Sequence, residues 1–261
     1  MPTAPLAGRC ATAVMAKAPR PGAVKTRLVP PLTGEEAMAL SAAFLRDITA
    51  NIGCAGACAP IAGYLAYAPA GTEDRFAGAL APATGLVLAD GAVGDMPPGV
   101  TGIGRSLLHA TRGLLGLGAT AVCLVNADSP TLPTSILVQA AEILLQPGDR
   151  MVLGPADDGG YYLIGLKAPH AHLFADITWS TPDVAAATVA RAAGLGLEVT
   201  MLPGWYDVDD AASLFRLRRQ MAAGSSASSG DLLPFPAPAT AAFLSQLDLT
   251  GRSGLGAAMP A

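Results

Sequence analysis

The run CATAVMA (residues 10–16) is followed at once by KAPRPGAVKTRL (17–28) and then by TGEE (33–36). The first segment has the length of a strand and no polar alternation, the pattern of a strand covered on both faces of a parallel sheet. The second carries four cations, Lys17, Arg20, Lys25 and Arg27, around Gly22 in a turn flanked by prolines. Thr33 and Glu36 have the Thr-x-x-Glu spacing of a capping box. They open a helix expected to run to residue 48, with Ala39, Leu40, Ala43, Phe44 and Ile48 on one stripe. Strand, charged loop, then helix is the opening unit of an α/β protein.

The same alternation recurs. Further strands are expected at residues 61–67, 86–89, 121–126, 151–153, 161–166 and 198–202. Helices are expected at 73–80, 104–115, 133–145, 183–193 and 210–221, and a Gly/Pro-rich loop at 90–102. This predicts a three-layer α/β/α sandwich with a mainly parallel central sheet, occupying residues 1–223. At Gly224 the composition changes: GSSASSG (224–230) reads as a flexible linker. The Pro/Ala-rich remainder, 231–261, is expected to be a poorly ordered or peripherally docked tail.

Composition narrows the function. The chain has 261 residues, 51% hydrophobic and 14% charged, with 16 Lys and Arg against 20 Asp and Glu for a net charge of −4. That acidic balance, with a pI near 5.3, excludes a nucleic-acid binder that relies on a basic face. Mean hydropathy is +0.43, high enough to raise the question of a membrane. Crossing a bilayer takes about 18 or more consecutive apolar residues, and no window qualifies. Residues 1–9 lack a charged region followed by a long apolar core, so no signal peptide is expected and the expected location is the cytoplasm. Cys54 and Cys58 are spaced C-x3-C with no completing His or Cys pair, so these and Cys10 and Cys123 are expected to be free thiols.

With so few charges, their clustering is informative. Four groups follow strand-like runs, where ligand crevices form in open α/β sheets. The loop of Lys17, Arg20, Gly22, Lys25, Thr26 and Arg27 suits a polyphosphate, which needs close backbone approach and cations. It is neither a Walker A loop nor a G-x-G-x-x-G fingerprint. Asp128 in NADSP (126–130) ends an apolar strand, where a carboxylate can hold Mg²⁺ or Mn²⁺ against a diphosphate or simply cap the next turn. In PADDGGYY (155–162), Asp157 and Asp158 are candidates for a catalytic base, with Gly159, Gly160 and Tyr161 beside an acceptor or sugar. An ordinary Asp-Gly turn is the alternative. In WYDVDD (205–210) a carboxylate completes a metal shell or caps the last helix. Arg105 at a helix start is a further candidate for phosphate. Trp179, Ser180 and Thr181 are candidates for stacking on and bonding a base or sugar. His170 and His172 are read as a surface pair without a nearby acidic partner, His109 as solvated or satisfied in the core, and 216–219 as the solvated end of the last helix.

Together AKAPRPGAVKTRL, NADSPTLP, GPADDGGYYLIGL, ITWSTPDV and WYDVDDAASL resemble the bacterial rSAM/selenodomain-associated transferase 1 family, over residues 10–221. That family is assigned to the nucleotide-diphospho-sugar transferase superfamily with its GT-A fold. It is also similar to phospholactate guanylyltransferases and to molybdenum-cofactor nucleotidyltransferases. The resemblance implies that Lys17, Arg20, Gly22, Lys25 and Arg27 form the nucleotide loop. It implies Asp128 as one metal ligand, and Asp209 as a second, matching the Asp of a D-x-D-T-P-E-D-L ending. The chain departs there, reading Asp210-Ala-Ala-Ser where that ending has Thr-Pro-Glu-Asp, and has Asn126 where a second carboxylate beside Asp128 would stand. The implied activity is metal-dependent transfer from a nucleotide-diphosphate sugar to a small-molecule or lipid acceptor. The alternative is nucleotidyl transfer from an NTP with release of pyrophosphate, and a third reading is a non-catalytic nucleotide-binding module.

Overall fold

The computed structural model describes residues 5–92, 94–223 and 232–248. Numbered in chain order, seven strands are β1 (Cys10–Lys17), β2 (Ile61–Ala68), β3 (Gly85–Leu88), β4 (Ala121–Val125), β5 (Arg150–Pro155), β6 (Tyr161–Leu166) and β7 (Glu198–Met201). They form one sheet in the order β3-β2-β1-β4-β6-β5-β7. β1, β2, β3 and β4 pair in parallel, as do β5 and β7, and only β6 runs against its neighbours. The sheet is therefore mainly parallel, as the buried apolar runs imply.

The helices are α1 (Gly34–Cys58), α2 (Ile103–Gly116), α3 (Thr134–Leu145), α4 (Val184–Gly194), α5 (Ala211–Ala223) and α6 (Pro238–Gln246). Two apolar clusters sandwich the sheet. Cys10 and Val14 of β1 face a cluster with α1, α3, α5 and α6, whereas Ala11 and Ala13 face one with α2 and α4. That is the three-layer arrangement, and it explains the high hydropathy: β4 is buried at all five positions. Among the described residues no helix is long and apolar enough to cross a membrane.

Two elements differ from expectation. The Thr33 capping box forms, its side chain accepting from Glu36 N while Glu36 accepts from Thr33 N. Yet α1 runs ten residues beyond 48, through Gly53 and Gly56. Tertiary packing overrides the glycines' low propensity, because a Cβ at Gly56 would stand 3.2 Å from Ile61 O, so a small residue lets α1 lie against β2. Conversely, the helix expected at 73–80 is only a 3-10 turn, Glu73–Phe76. Gly78 in the left-handed region at φ +74° takes the backbone out of helical geometry.

The 224–230 linker lies outside the described residues. The segment after it is docked: Phe235 N donates to Thr131 O at 3.1 Å, and α6 lies on α1. Asp47 of α1, 1% exposed, accepts from Ala239 N at 2.9 Å and Thr240 N at 2.7 Å. A buried carboxylate thus satisfies the first free amides of α6 from 192 residues away in sequence. Asp47→Ala leaves those amides unpaired and is expected to cost about 1–3 kcal/mol. The urea midpoint should fall with an unchanged slope; an unaltered midpoint would show that the cap contributes nothing.

Candidate functional site

Every loop singled out by its charge follows the C-terminal end of a strand that runs in the common direction. The strand order reverses between β1 and β4, and at such switch points the flanking loops splay to leave a crevice. The 17–28 loop leaves β1 there, and the 126–133 loop leaves β4 beside it.

On the β1 side lies a cleft of about 560 Å³ lined by Lys17, Arg20, Asp90, Gly91, Gly102 and Arg105, with Ala68 and Pro69 from the end of β2. Lys17 and Arg20 are exposed at its rim. Arg105, in the first turn of α2, donates its Nε to Gly91 O. Asp90 accepts from Ala70 N and Ala92 N, and these bonds hold its carboxyl below the usual carboxylate range. His109 is satisfied by Asp90 O at 2.7 Å. Gly102, at φ +54°, leaves room for the Trp179 indole, which a Cβ would meet at 2.9 Å. Trp179 therefore packs behind the cleft wall, its Nε1 buried without a partner, while Ser180 is exposed and Thr181 Oγ1 donates to Thr178 O.

On the β4 side the carboxylates converge around one cation. Lys25 Nζ lies 2.5 Å from Asp128 Oδ1 and 3.4 Å from Asp209 Oδ1, and donates to Val208 O at 2.6 Å. Its side chain is only 5% exposed and its ammonium stands 5.1 Å from the centre of the Phe44 ring. Arg27 closes the other Asp209 oxygen at 2.5 Å while remaining 71% exposed. Backbone bonds fix the two loops to each other: Val208 N donates to Asp128 O at 2.9 Å, and Ser129 Oγ to Tyr206 O at 3.0 Å. Asp210, not Asp209, caps α5, accepting from Ser213 N at 2.8 Å, which leaves Asp209 for the cluster. Gly22, at φ +69° with open space around a built Cβ, serves the backbone turn. Thr26 is exposed and begins a 3-10 turn.

The hairpin between β5 and β6 brings up the next pair. Asp157 forms an exposed ion pair with Arg216 at 2.5 Å, and Arg216 also lies 4.0 Å over the Tyr206 ring; this end of α5 is engaged rather than merely solvated. Asp158 accepts from Gly160 N at 2.9 Å. Gly159 at φ +88° runs so close to Pro182 that a Cβ would collide with its carbonyl at 2.0 Å, so this turn is held against the start of α4. Tyr161 is not brought to the others: its hydroxyl is buried beside Thr188 of α4, and burial pushes its ionisation up. His170 does have an acidic partner, Asp149 at 2.8 Å, against expectation, and it lies outside this cluster. Cys54 and Cys58 are free and exposed; Cys10 and Cys123 are free and buried.

Asp207 is the site residue that the sequence reading left unnamed. Burial first, then the charges of Asp209, Asp158 and Asp128, push its carboxyl up to about 6. Asp207 thus feels the charges of the three other carboxylates on these loops. The signal was present in the spacing, since Val208 is fully buried and alternate residues of an extended segment share the opposite face. Among the described residues no three acidic, histidine or cysteine side chains stand ready to enclose a metal. The donor set nonetheless fits one: Asp128 and Asp209 offer hard oxygens and already share a cation, the ammonium of Lys25. Mg²⁺ and Mn²⁺ sites commonly use one or two carboxylates plus substrate phosphates. An acid whose pKa is raised on folding binds its proton more tightly in the native state, so stability falls as pH rises from about 4 to about 6. Thermal midpoints measured across that window should decline more steeply in the wild type than in Asp207→Asn; parallel curves would remove Asp207 from the cluster.

A family model described as "Uncharacterized protein conserved in bacteria (DUF2064)" matches residues 54–181. No curated protein matches the chain. A solved "putative nucleotide-diphospho-sugar transferase" from Desulfovibrio desulfuricans G20 is 27% identical, with a TM-score of 0.71 over 93% of this chain and 100% of its own. A CMP:2-keto-3-deoxy-manno-octonic acid synthetase complexed with CTP is 11% identical, with a TM-score of 0.50 over 82% of this chain and 98% of its own. The latter likeness is one of fold alone. The chain thus has the α/β architecture of nucleotide-diphospho-sugar transferase-like proteins.

Proposed function

We propose that the protein is a metal-dependent transferase acting on a nucleotide-diphosphate sugar. The observation that carries this reading is the adjacency of a cation-lined cleft, with Lys17, Arg20 and Arg105, to the Asp128 and Asp209 carboxylates across the sheet's switch point. The 27% identity with the Desulfovibrio desulfuricans protein over nearly the whole chain supports it, as does the resemblance to the rSAM/selenodomain-associated transferases. The cleft would take the nucleotide, with Lys17, Arg20 and Arg105 on its phosphates. Asp128 and Asp209 would hold Mg²⁺ or Mn²⁺, which when bound neutralises charge on the diphosphate.

In the transfer, an acceptor hydroxyl oxygen bonds to the anomeric carbon. The bond from that carbon to the diphosphate oxygen breaks, and the hydroxyl proton passes to a carboxylate. Asp158 suits that role better than Asp157, which Arg216 already engages. The guanidinium of Arg27, largely exposed beside Asp209, adds positive charge where the departing diphosphate develops negative charge. Gly159 and Gly160 keep the hairpin backbone compact beside the acceptor, and Trp179, Ser180 and Thr181 flank the sugar side.

One observation favours nucleotidyl transfer instead. Asp207 joins Asp209 and Asp128 in one field, restoring the Asp-x-Asp spacing found in related nucleotidyltransferase endings. The products separate the two: a nucleoside diphosphate released from a nucleotide sugar, against pyrophosphate released from an NTP. Incubation with each common nucleotide sugar and NTP, at millimolar Mn²⁺ and with small-molecule and lipid acceptors, is expected to release nucleoside diphosphate. Asp128→Asn should lower kcat/KM roughly 100-fold or more, about 2.7 kcal/mol. Pyrophosphate alone would establish the second reading. Nucleotide binding without either product would leave a non-catalytic module.

A further inference from the structure

Lys25 is held more completely than a phosphate-binding lysine needs to be. Three oxygens surround its ammonium: Val208 O and Asp209 Oδ1 accept hydrogen bonds at 2.6 and 3.4 Å, and Asp128 Oδ1 forms an ion pair at 2.5 Å. The side chain is 5% exposed and lies against the Phe44 ring. Its backbone sits in the left-handed region at φ +52°, a conformation strained for a non-glycine residue. Such strain persists only where the surroundings fix it. The result is a fixed cation in the place that a metal shared by Asp128 and Asp209 would take.

We infer that Lys25 is a resident counter-cation that makes divalent-metal occupancy of Asp128 and Asp209 conditional on a nucleotide polyphosphate; this rests on the metal-dependent reading above. A free divalent ion approaching the two carboxylates meets a buried like charge already held between them. A diphosphate in the neighbouring cleft offers that ammonium new oxygens. Lys25 ends the same loop that carries Lys17 and Arg20 into the cleft wall, so its side chain can exchange carboxylate oxygens for phosphate oxygens. The protein therefore takes the metal together with the nucleotide, as a metal–nucleotide complex, and Lys25 acts as a positioning residue that couples the two sites.

The coupling is measurable without turnover. Mn²⁺ bound to the full chain is counted by electron paramagnetic resonance at fixed free Mn²⁺, with and without saturating UDP, GDP, CDP or ADP. Wild-type protein is expected to bind free Mn²⁺ weakly and to bind it about tenfold or more tightly with one of these nucleotides, Mn²⁺ raising that nucleotide's affinity by the same factor. In Lys25→Met, free Mn²⁺ should bind at least about tenfold more tightly than in wild type and the nucleotide dependence should shrink. A gain in affinity is not an outcome that misfolding produces, and adding Asp128→Asn should abolish it. Equal Mn²⁺ affinity of the wild type with and without every nucleotide would overturn the inference even if Lys25→Met did not fold. So would a folded Lys25→Met with unchanged or weaker Mn²⁺ affinity. Metal binding without coupling refutes only this inference, whereas no Mn²⁺ binding under any condition refutes the metal-dependent reading as well.

Discussion

Two carboxylates drawn from loops 81 residues apart repel each other in a partly buried site unless a cation or a proton lies between them, and in this protein Lys25 supplies the cation. Its ammonium lies 2.5 Å from Asp128 and 3.4 Å from Asp209, and the loops after β1, β4 and β7 are tied together through it. The backbone bond from Val208 N to Asp128 O and the Ser129–Tyr206 bond reinforce the same junction. Asp207 lies in the same field, its carboxyl pushed up first by burial and then by the charges of Asp209, Asp158 and Asp128. A site rich in carboxylates beside a cleft lined by cations suits a ligand that carries both signs, and a metal-bound polyphosphate is one.

Support for the junction extends to the far face of the sheet. Tyr206, whose carbonyl receives the Ser129 hydroxyl, also bonds through its own hydroxyl to Gln220 of α5. Thr131 Oγ1 donates to the same Gln220 side chain, and Thr131 O accepts Phe235 N from the segment beyond α5. Asn51 of α1 holds Leu132 O at 2.6 Å. The loop bearing Asp128 is therefore braced by α1, α5 and the docked segment before α6. Preorganisation of this kind would serve the proposed transfer, because charges held in place need not be rearranged as a reaction proceeds.

Much of this was legible in the sequence, and the reasons are local. The strand at 10–16, the capping box at Thr33 and the apolar run before Asp128 are each specified by adjacent residues, and each formed. The charged loops fell at strand ends because an open parallel sheet leaves nowhere else for them. What escaped was set by distant packing. The helix expected to end at 48 runs on through Gly53 and Gly56, and Gly56 lets α1 lie against β2. The segment 238–246 has no strong helical pattern and owes its N-terminal cap to Asp47 on α1. Tyr161 stood in an attractive motif, but strand alternation turns it toward α4. Lys25 read as a phosphate ligand because sequence gives its charge and not its partners; only the fold reveals that its ammonium is already engaged by Asp128, Asp209 and Val208 O.

The central claim is that the cation-lined cleft and the Asp128–Asp209 pair are two halves of one site for a metal-bound nucleotide. A crystal structure of the protein with Mn²⁺ and a bound nucleoside diphosphate, with anomalous scattering collected at the manganese edge, addresses it most directly. The account predicts an anomalous peak within coordinating distance of Asp128 and Asp209, diphosphate between it and Arg20, and the Lys25 ammonium moved onto a phosphate oxygen. A nucleotide bound elsewhere, or in the cleft with Lys25 still between the two carboxylates and no manganese beside them, would contradict it.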